Sequence, residues 1–288
     1  MTTVDFHQHL WPSAFVQALG ERSAPPKLDG AVLTTPEGAF QLDPALHDAE
    51  ARITALDRDG IDVAVLSLQS TLGIESLPPS ERDVLELAWI DGMTGVVSDA
   101  GGRFRALAPW RVVPGFAGTS VGASAVLDTE RHGALLAEVD AAGGTLFVHP
   151  EAEGPVPPGR PPWWGWTTGY TTQMQHAYFA WLAGGRERLP AVKVVFSILA
   201  GGGPFLLERL SQRGVDVRSA LDPGVFFDTA THGRRAIELC IETFSVGQLV
   251  YGSDTPIVGP QLTLQAVRGF GDAVARLLQI DTPGGLLP

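Results

Sequence analysis

The 288-residue chain contains a single cysteine, Cys240. One cysteine excludes an internal disulfide framework and is typical of a protein from a reducing compartment. Basic residues are also scarce, since 20 Lys and Arg stand against 32 Asp and Glu for a formal net charge of −12. This balance argues against nucleic acid as a partner, because binding a phosphate backbone requires clustered basic side chains.

Long hydrophobic runs are missing as well. No basic segment followed by an apolar stretch opens the chain, and no apolar run reaches the length needed to span a bilayer. A hydrophobic content of 44% with 18% charged residues instead predicts a globular protein with a sizeable core. We therefore expect a cytoplasmic protein that acts on a small molecule, without a membrane or nucleic-acid partner.

Short runs rich in β-branched residues alternate with helical patterns along the whole chain, which indicates repeated βα units and a parallel sheet. Eight such runs predict a (β/α)8 TIM barrel that occupies residues 1–288 as one domain. The segment from Trp110 to Thr119 is too short for a crossover helix, so we expect the third helix to be reduced or missing. The predicted strands are Val4–His9, Asp62–Leu68, Phe104–Trp110, Ser120–Val126, Thr145–His149, Lys193–Leu199, Val225–Ala230 and Leu249–Asp254.

Two segments rich in proline and glycine follow predicted strands, Trp11–Leu42 after the first and Glu151–Thr168 after the fifth. We interpret both as long loops at the carboxyl ends of the strands, where TIM barrels build their active sites. Helical patterns fill most of the remaining chain and include Asp43–Asp59, Pro204–Gln212 and Gln261–Leu278.

Candidate metal ligands stand at three predicted strand ends. His7 and His9 are two residues apart, so their side chains point to the same side of a strand. His149 ends the fifth strand and Asp254 the eighth, each with proline soon after. If the barrel closes, three imidazoles and a carboxylate converge on one mouth, a donor set suited to one divalent ion, with Zn²⁺ preferred and Mn²⁺ the alternative.

These motifs resemble the amidohydrolase superfamily, and within it the branch of aminocarboxymuconate-semialdehyde decarboxylase. The similarity covers nearly the whole chain, through VDFHQHLWP, LFVHP, FFDTATHGRRAIEL and LVYGSDTP. It implies a barrel with one divalent metal held by His7, His9, His149 and Asp254. It also implies that Asp254 serves both as a ligand and as a proton carrier.

The chain departs from the family pattern at Ile198. Family members usually carry a histidine there, at the end of strand 6, which orients or deprotonates the water on the metal. Isoleucine can do neither, and a positioned base typically contributes ~10²–10⁴ in rate. Asp254 is the first candidate to replace that base, and His232, which follows the seventh strand, is the second. For His232 an exposed residue at the start of a helix is an equally good interpretation, whereas His47, His132 and His176 are assigned no catalytic role.

Aromatic side chains near the predicted mouth suggest how substrate binds. Trp11, Trp110 and Trp163 could line a pocket for a flat, apolar or aromatic molecule, although an oligomer contact also favours such residues. Arg111 follows the third strand and could pair with a substrate carboxylate, with an ordinary salt bridge as the alternative.

The sequence therefore predicts a metal-dependent enzyme that hydrolyses or decarboxylates a small carboxylate or carbonyl compound. Loss of the base at position 198 impairs hydrolysis more than decarboxylation, because only hydrolysis has to activate water. A barrel that has lost catalysis and binds a ligand is the alternative, and a hydratase or cyclase is a third hypothesis. A homodimer is compatible with the sequence.

Overall fold

Eight parallel strands form the centre of the protein in the computed structural model, which describes residues 1–288. Each strand pairs with the next one along the barrel. The last returns to the first through a bridge between Gln8 and Thr255 and a hydrogen bond from Asp254 N to His7 O of 2.8 Å. The predicted TIM barrel is confirmed. Its strands are β1 (Val4–His9), β5 (Val63–Ser67), β6 (Phe104–Pro109), β7 (Gly118–Gly122), β8 (Thr145–His149), β9 (Lys193–Phe196), β10 (Val225–Asp228) and β11 (Leu249–Val250).

Apolar side chains pack on both sides of these strands. Phe6, Val65, Phe147 and Val195 belong to a cluster of 10 buried residues, to which six of the barrel strands contribute. Such residues alternate along each strand, as expected for the filled interior of a TIM barrel. A larger cluster of 48 residues packs the strands against the helices outside. The polar ends of the strands are thereby held on a rigid scaffold.

Helices follow most of the strands. No helix lies between Pro109 and Gly118, which confirms that the third crossover helix is missing. None of the helices is both long and apolar enough to cross a bilayer. The α-helices are α1 (Ser13–Gly20), α2 (Ala49–Asp59), α3 (Pro79–Asp99), α4 (Ser124–Leu127), α5 (Thr129–Ala141), α6 (Tyr170–Leu182), α7 (Gly185–Arg188), α8 (Leu207–Ser211), α9 (Arg234–Thr243), α10 (Gln261–Arg268), α11 (Asp272–Arg276) and α12 (Thr282–Leu286).

Several predicted elements have different bounds in the structure, and for three of them the local backbone gives the reason. Strand β7 ends at Gly122 instead of Val126, because the chain turns into α4. The helix predicted over Pro204–Gln212 is reduced to α8, since the residues before it form 3-10 turns around left-handed backbone. The helix predicted over Gln261–Leu278 is split, because Gly271 with a φ of 94° cannot continue a right-handed helix.

The sequence predicts a long loop over Trp11–Leu42, but this segment contains secondary structure. After α1 it forms an antiparallel sheet of three short strands: β2 (Lys27–Asp29), β3 (Val32–Thr35) and β4 (Gly38–Gln41). Strands of three or four residues are too short to show a clear alternating pattern in sequence. The turn between β3 and β4 places Glu37 against the start of the loop after β8, where it accepts a hydrogen bond from Glu153 N at 2.8 Å. The insert therefore meets the barrel at its carboxyl-terminal mouth.

Candidate metal centre

Four side chains from three strand ends meet at the mouth of the barrel. His7 and His9 come from β1, His149 from the end of β8 and Asp254 from the segment after β11. One ligand atom from each residue lies within 4.8 Å of those from the other three. The three histidines are buried. The structure thus brings together the residues that the sequence suggested, and their role as metal ligands stays a prediction.

Backbone geometry positions the two ends of this cluster. Asp254 has a φ of 66°, a left-handed conformation that aspartate tolerates better than most residues. Its amide donates to the carbonyl oxygen of His7 at 2.8 Å, which ties the carboxylate to the end of β1. Gly252 makes room for the first histidine, since a Cβ at that position would lie 2.7 Å from the Cβ of His7.

A residue that the sequence analysis did not single out orients His7. The Nδ1 atom of His7 lies 2.7 Å from Oδ2 of Asp228, and both side chains are fully buried. The other oxygen of Asp228 accepts hydrogen bonds from the backbone amides of Ile198 and Ala230, at 3.0 and 2.9 Å. Because Asp228 accepts at Nδ1, the neutral ring of His7 carries its hydrogen there and presents the lone pair of Nε2. In the sequence, the position of Asp228 as a polar residue at the end of a predicted strand was the signal that could have marked it as a site residue.

Backbone carbonyls orient the other two rings in the same way. His9 Nδ1 lies 3.0 Å from the carbonyl oxygen of Ser67, and His149 Nδ1 lies 2.8 Å from that of Pro150. A carbonyl can only accept, so each ring carries hydrogen at Nδ1 and leaves Nε2 free. In its neutral form each of the three histidines therefore directs an Nε2 lone pair toward the same point.

The free donor atoms fit a cation. The Nε2 atoms of His7 and His9 are 3.1 Å apart, and Oδ1 of Asp254 lies 3.6 and 3.1 Å from them. Asp254 Oδ1 is buried and accepts no hydrogen bond. Once His7 has lost its proton, the lone pairs of these atoms face one another and repel, and a divalent ion between them would remove that repulsion.

Burial and neighbouring charges set the protonation of the cluster. Burial lowers the pKa of His149 to about 3 and also lowers the pKa of His9. Burial opposes ionisation of Asp254, but the adjacent histidines bring its pKa below the usual value. Burial would also lower the pKa of His7, but the charge of Asp228 overcomes it and raises that pKa to about 9. Three of the four groups are thus in the ligand form at neutral pH, and His7 has a proton to release.

The segment after β9, which contains Ile198, has an unusual backbone conformation. Five consecutive residues, Ile198 to Gly202, have φ values between 45° and 77°. Left-handed backbone is disfavoured by about 1–2 kcal/mol per residue other than glycine. Gly201 also has to lack a side chain, because a Cβ there would overlap the carbonyl oxygen of Thr171. The segment carries no histidine, and it is held to the metal cluster by the hydrogen bond from Ile198 N to Asp228.

His232, the second candidate base, lies just past β10 and is half-buried. Its Nδ1 atom bonds the carbonyl oxygen of Ala230 at 2.7 Å, which leaves Nε2 as the free nitrogen. It forms no hydrogen bond or ion pair with His7, His9, His149 or Asp254. A catalytic role for His232 stays a prediction.

The predicted substrate-binding residues occupy different environments. Trp11 is 3% exposed, donates from Nε1 to Gln69 at 2.6 Å and stacks on His47 with ring centroids 4.4 Å apart. His47 also accepts a hydrogen bond from Trp11 N, so it has a structural role that the sequence analysis did not assign. These contacts bury Trp11 between Gln69 and His47.

The remaining three are nearer to solvent. Trp163 is 51% exposed, and Trp110 packs at 5.0 Å from the ring of His132. The guanidinium of Arg111 donates to Glu86 at 2.8 Å and to Asp83 at 3.3 Å. Arg111 is therefore engaged in the salt bridge that was the alternative to substrate binding.

The chain is similar in sequence or in fold to several known proteins, although no protein-family model matches it. The 2-amino-3-carboxymuconate-6-semialdehyde decarboxylase of Dictyostelium discoideum is 25% identical over 278 residues, covering 82% of this chain and 76% of the relative. The 5-carboxyvanillate decarboxylase of Sphingomonas paucimobilis has the same fold, with a TM-score of 0.78, 16% identity and coverage of 99% and 98%. The 5-carboxyvanillate decarboxylase of Novosphingobium aromaticivorans, solved with manganese, has a TM-score of 0.73 and 16% identity, with coverage of 99% of this chain and 96% of that one. The chain is thus similar in sequence to an aminocarboxymuconate-semialdehyde decarboxylase and shares the barrel fold of the two carboxyvanillate decarboxylases.

Proposed function

We propose that this protein is a metal-dependent enzyme that removes a carboxyl group, without oxidation, from a small unsaturated or aromatic acid. The observation that carries the proposal is the convergence of His7, His9, His149 and Asp254 within 4.8 Å at the barrel mouth. The relative from Dictyostelium discoideum, named as a decarboxylase, supports it. Hydrolysis of a small ester, amide or lactone is the second candidate, because the same donor set can serve it.

Three imidazole nitrogens and one carboxylate would hold the metal, and we expect Zn²⁺ with Mn²⁺ as the alternative. When bound, such an ion supplies positive charge that holds substrate oxygens and withdraws electrons from the carbon that loses CO₂. The manganese in the Novosphingobium aromaticivorans structure supports the alternative for that fold.

Asp254 is the group that we expect to move the proton. In decarboxylation the bond between the substrate carbon and its carboxylate breaks, and the electron pair stays on the carbon. A proton must then reach that carbon, and CO₂ leaves. Asp254 is ionised at neutral pH, so its carboxylate would first take a proton from solvent and then pass it to the carbon.

Ile198 favours the lyase over the hydrolase. Hydrolysis requires a base that takes a proton from water, and the end of β9 offers only an alkyl side chain there. An alkyl side chain cannot take a proton from water, which hinders hydrolysis but leaves protonation of carbon by Asp254 unaffected. A ligand-binding barrel without catalysis has no support, since the complete donor set is retained. A small-molecule substrate and a homodimeric assembly remain our predictions.

The test is a substrate screen with metal-loaded protein. Hydroxylated benzoates, unsaturated dicarboxylates, esters and lactones are each incubated with the protein, and released CO₂ and released acid are measured separately. We expect CO₂ from at least one acid, with activity lost after chelation and in Asp254→Asn. The variant His176→Ala is the control, since this histidine is exposed on α6. Acid release from esters with no CO₂ from any acid would establish the hydrolase instead.

A further inference from the structure

The turn between β3 and β4 packs against two loops at the carboxyl-terminal face of the barrel. A Cβ placed on Gly73 would lie 2.9 Å from Cγ of Pro36 and 3.4 Å from Cβ of Ala152, so the three residues are in close contact. Gly73 follows β5, the second strand of the barrel, and Ala152 follows β8, the fifth. His149, a predicted metal ligand, stands three residues before Ala152. The turn therefore bridges loops from two strands that are not neighbours, on the face that holds the metal centre.

One carboxylate attaches this turn to the barrel. The hydroxyl of Tyr170 lies 2.7 and 2.8 Å from the two oxygens of Glu37, and Glu153 N donates to Oε1 at 2.8 Å. Residues 32–41 form no other hydrogen bond outside their own small sheet. Burial raises the pKa of Tyr170, and the charges of Glu37 and Asp254 add to the rise, so the hydroxyl keeps its proton and donates. The effect of Asp254 also shows that this hydroxyl lies within electrostatic reach of a predicted metal ligand.

The two sides of this contact differ in how firmly they are held. On the barrel side, Gln173 accepts from Glu151 N at 2.7 Å and donates to Oε1 of Glu153 at 2.6 Å, which ties the loop after β8 to α6. Gly169 has to lack a side chain, because a Cβ there would overlap the side chain of Glu153. On the other side, three of the four residues of β4 are exposed, and Leu33 of β3 packs into the larger core cluster. Breaking the contact would therefore free the hairpin and leave the loop in place.

The donor side chains of the metal centre are nearly closed off from solvent. The side chains of His7 and His9 are 0% exposed and that of Asp254 is 15% exposed. His149 is 6% exposed. An acid of the size proposed above has to bring its carboxylate to these atoms, so the mouth has to open before the acid can bind.

We propose that the β3–β4 hairpin is a lid over the metal centre, that the hydrogen bond from Tyr170 to Glu37 holds it closed, and that substrate enters when this bond breaks. Glu37 is suited to this task, because it carries every hydrogen bond between the hairpin and the rest of the protein. A closed lid excludes water and keeps the substrate in place during the reaction. This role rests on the proposed function, which makes the metal centre the active site.

Chemical labelling of the metal-free protein tests the lid. Diethyl pyrocarbonate is a small organic reagent that acylates a free histidine nitrogen, and mass spectrometry gives the rate at each histidine. The reporter is His149, whose free Nε2 faces the site, and the exposed His176 is the reference within the same molecule. We expect His149 to react about tenfold faster, relative to His176, in Tyr170→Phe and in Glu37→Ala, because each variant loses a charge-assisted hydrogen bond.

Matched variants control for the loss of a hydroxyl or a carboxylate alone. Tyr178→Phe lies on the same helix, and the hydroxyl of Tyr178 has no hydrogen-bond partner. Glu138→Ala removes an exposed carboxylate of α5. Both variants should react at His149 like the unmodified protein.

Hydrogen–deuterium exchange is the second measurement. In Tyr170→Phe and Glu37→Ala the amides of residues 32–41 should exchange faster, with those of β5 unchanged. Unchanged rates in the hairpin would show that this contact does not hold it, and faster exchange with unchanged labelling of His149 would show that the hairpin does not cover the site. Either result would overturn the proposal. Neither measurement requires bound metal or turnover, so their outcome is separate from whether the protein is a decarboxylase.

Discussion

Asp228 holds His7 by a 2.7 Å hydrogen bond to Nδ1, and its second oxygen accepts from the backbone of Ile198. One carboxylate thus positions both a predicted metal ligand and the backbone of the segment that begins at Ile198.

Asp228→Asn should weaken metal binding without unfolding the barrel. The amide can donate as well as accept, so it no longer enforces hydrogen on Nδ1 of His7 or raises the basicity of the ring. We expect a 10–100-fold loss of affinity for Zn²⁺, measured by competition with a chromophoric chelator. Asp216→Asn, on an exposed loop, is the control and should bind like the unmodified protein. Equal affinity in both variants would show that Asp228 does not support the metal site.

Metal binding should release a proton from His7. Its pKa of about 9 means that the metal-free protein carries this proton at neutral pH, whereas His9 and His149 are already neutral. Affinity should therefore rise about tenfold per pH unit between pH 6.5 and 9 and then level off. Calorimetry in buffers of different ionisation enthalpy counts the protons. Affinity independent of pH over this range contradicts the assignment.

The same pKa gives a stability prediction for the metal-free protein. Because the pKa of His7 is raised on folding, its ion pair with Asp228 contributes fully below about pH 6.5, the ordinary histidine value. That contribution is lost as the pH rises through 9. Denaturant unfolding after chelation should give a smaller free energy of unfolding at pH 9 than at pH 6.5. In His7→Ala the part of this difference that comes from the His7–Asp228 ion pair should be absent.

Gly252→Ala should disturb the centre from the end of β11, the strand next to β1. The new methyl group would lie 2.7 Å from Cβ of His7 and 3.2 Å from Cβ of Asp228, so one of these side chains has to move. We expect at least a tenfold loss of metal affinity. Gly247→Ala is the matched control, because the closest atom to its Cβ, Oγ of Ser245, is 3.7 Å away. A normal metal affinity in Gly252→Ala would show that the backbone here can relax freely.

Arg111→Ala should act on stability more than on substrate binding. It leaves the buried carboxylate of Glu86 without its closest partner, at an expected cost of about 1–3 kcal/mol in the free energy of unfolding. The double variant Arg111→Ala, Glu86→Gln should recover part of that loss, since the orphaned charge is gone. A large rise in KM with unchanged stability would instead restore Arg111 as a substrate ligand.

The sequence was sufficient for the barrel and for the grouping of donor residues. Alternating β-branched runs set the strands, and His7, His9, His149 and Asp254 each stand at or just after a strand end, so closure of the sheet alone brings them together. The absence of the third crossover helix could be predicted because too few residues separate Trp110 from Thr119 in the sequence.

Features that depend on contacts between distant segments could not be predicted. The bond between His7 and Asp228 joins residues 221 positions apart, so the sequence does not show this pairing even though Asp228 stands at a strand end. The small sheet β2–β4 has strands too short for a periodic signal. The left-handed run beginning at Ile198 is imposed by packing, because only two of its five residues are glycine.

A crystal grown with Mn²⁺ and measured at the manganese absorption edge tests the central claim most directly. We predict one anomalous peak about 2.0–2.3 Å from Nε2 of His7, His9 and His149 and from a carboxylate oxygen of Asp254. No peak at saturating Mn²⁺ or Zn²⁺, or a peak only at other residues, would contradict the account of this protein as a metal-dependent enzyme.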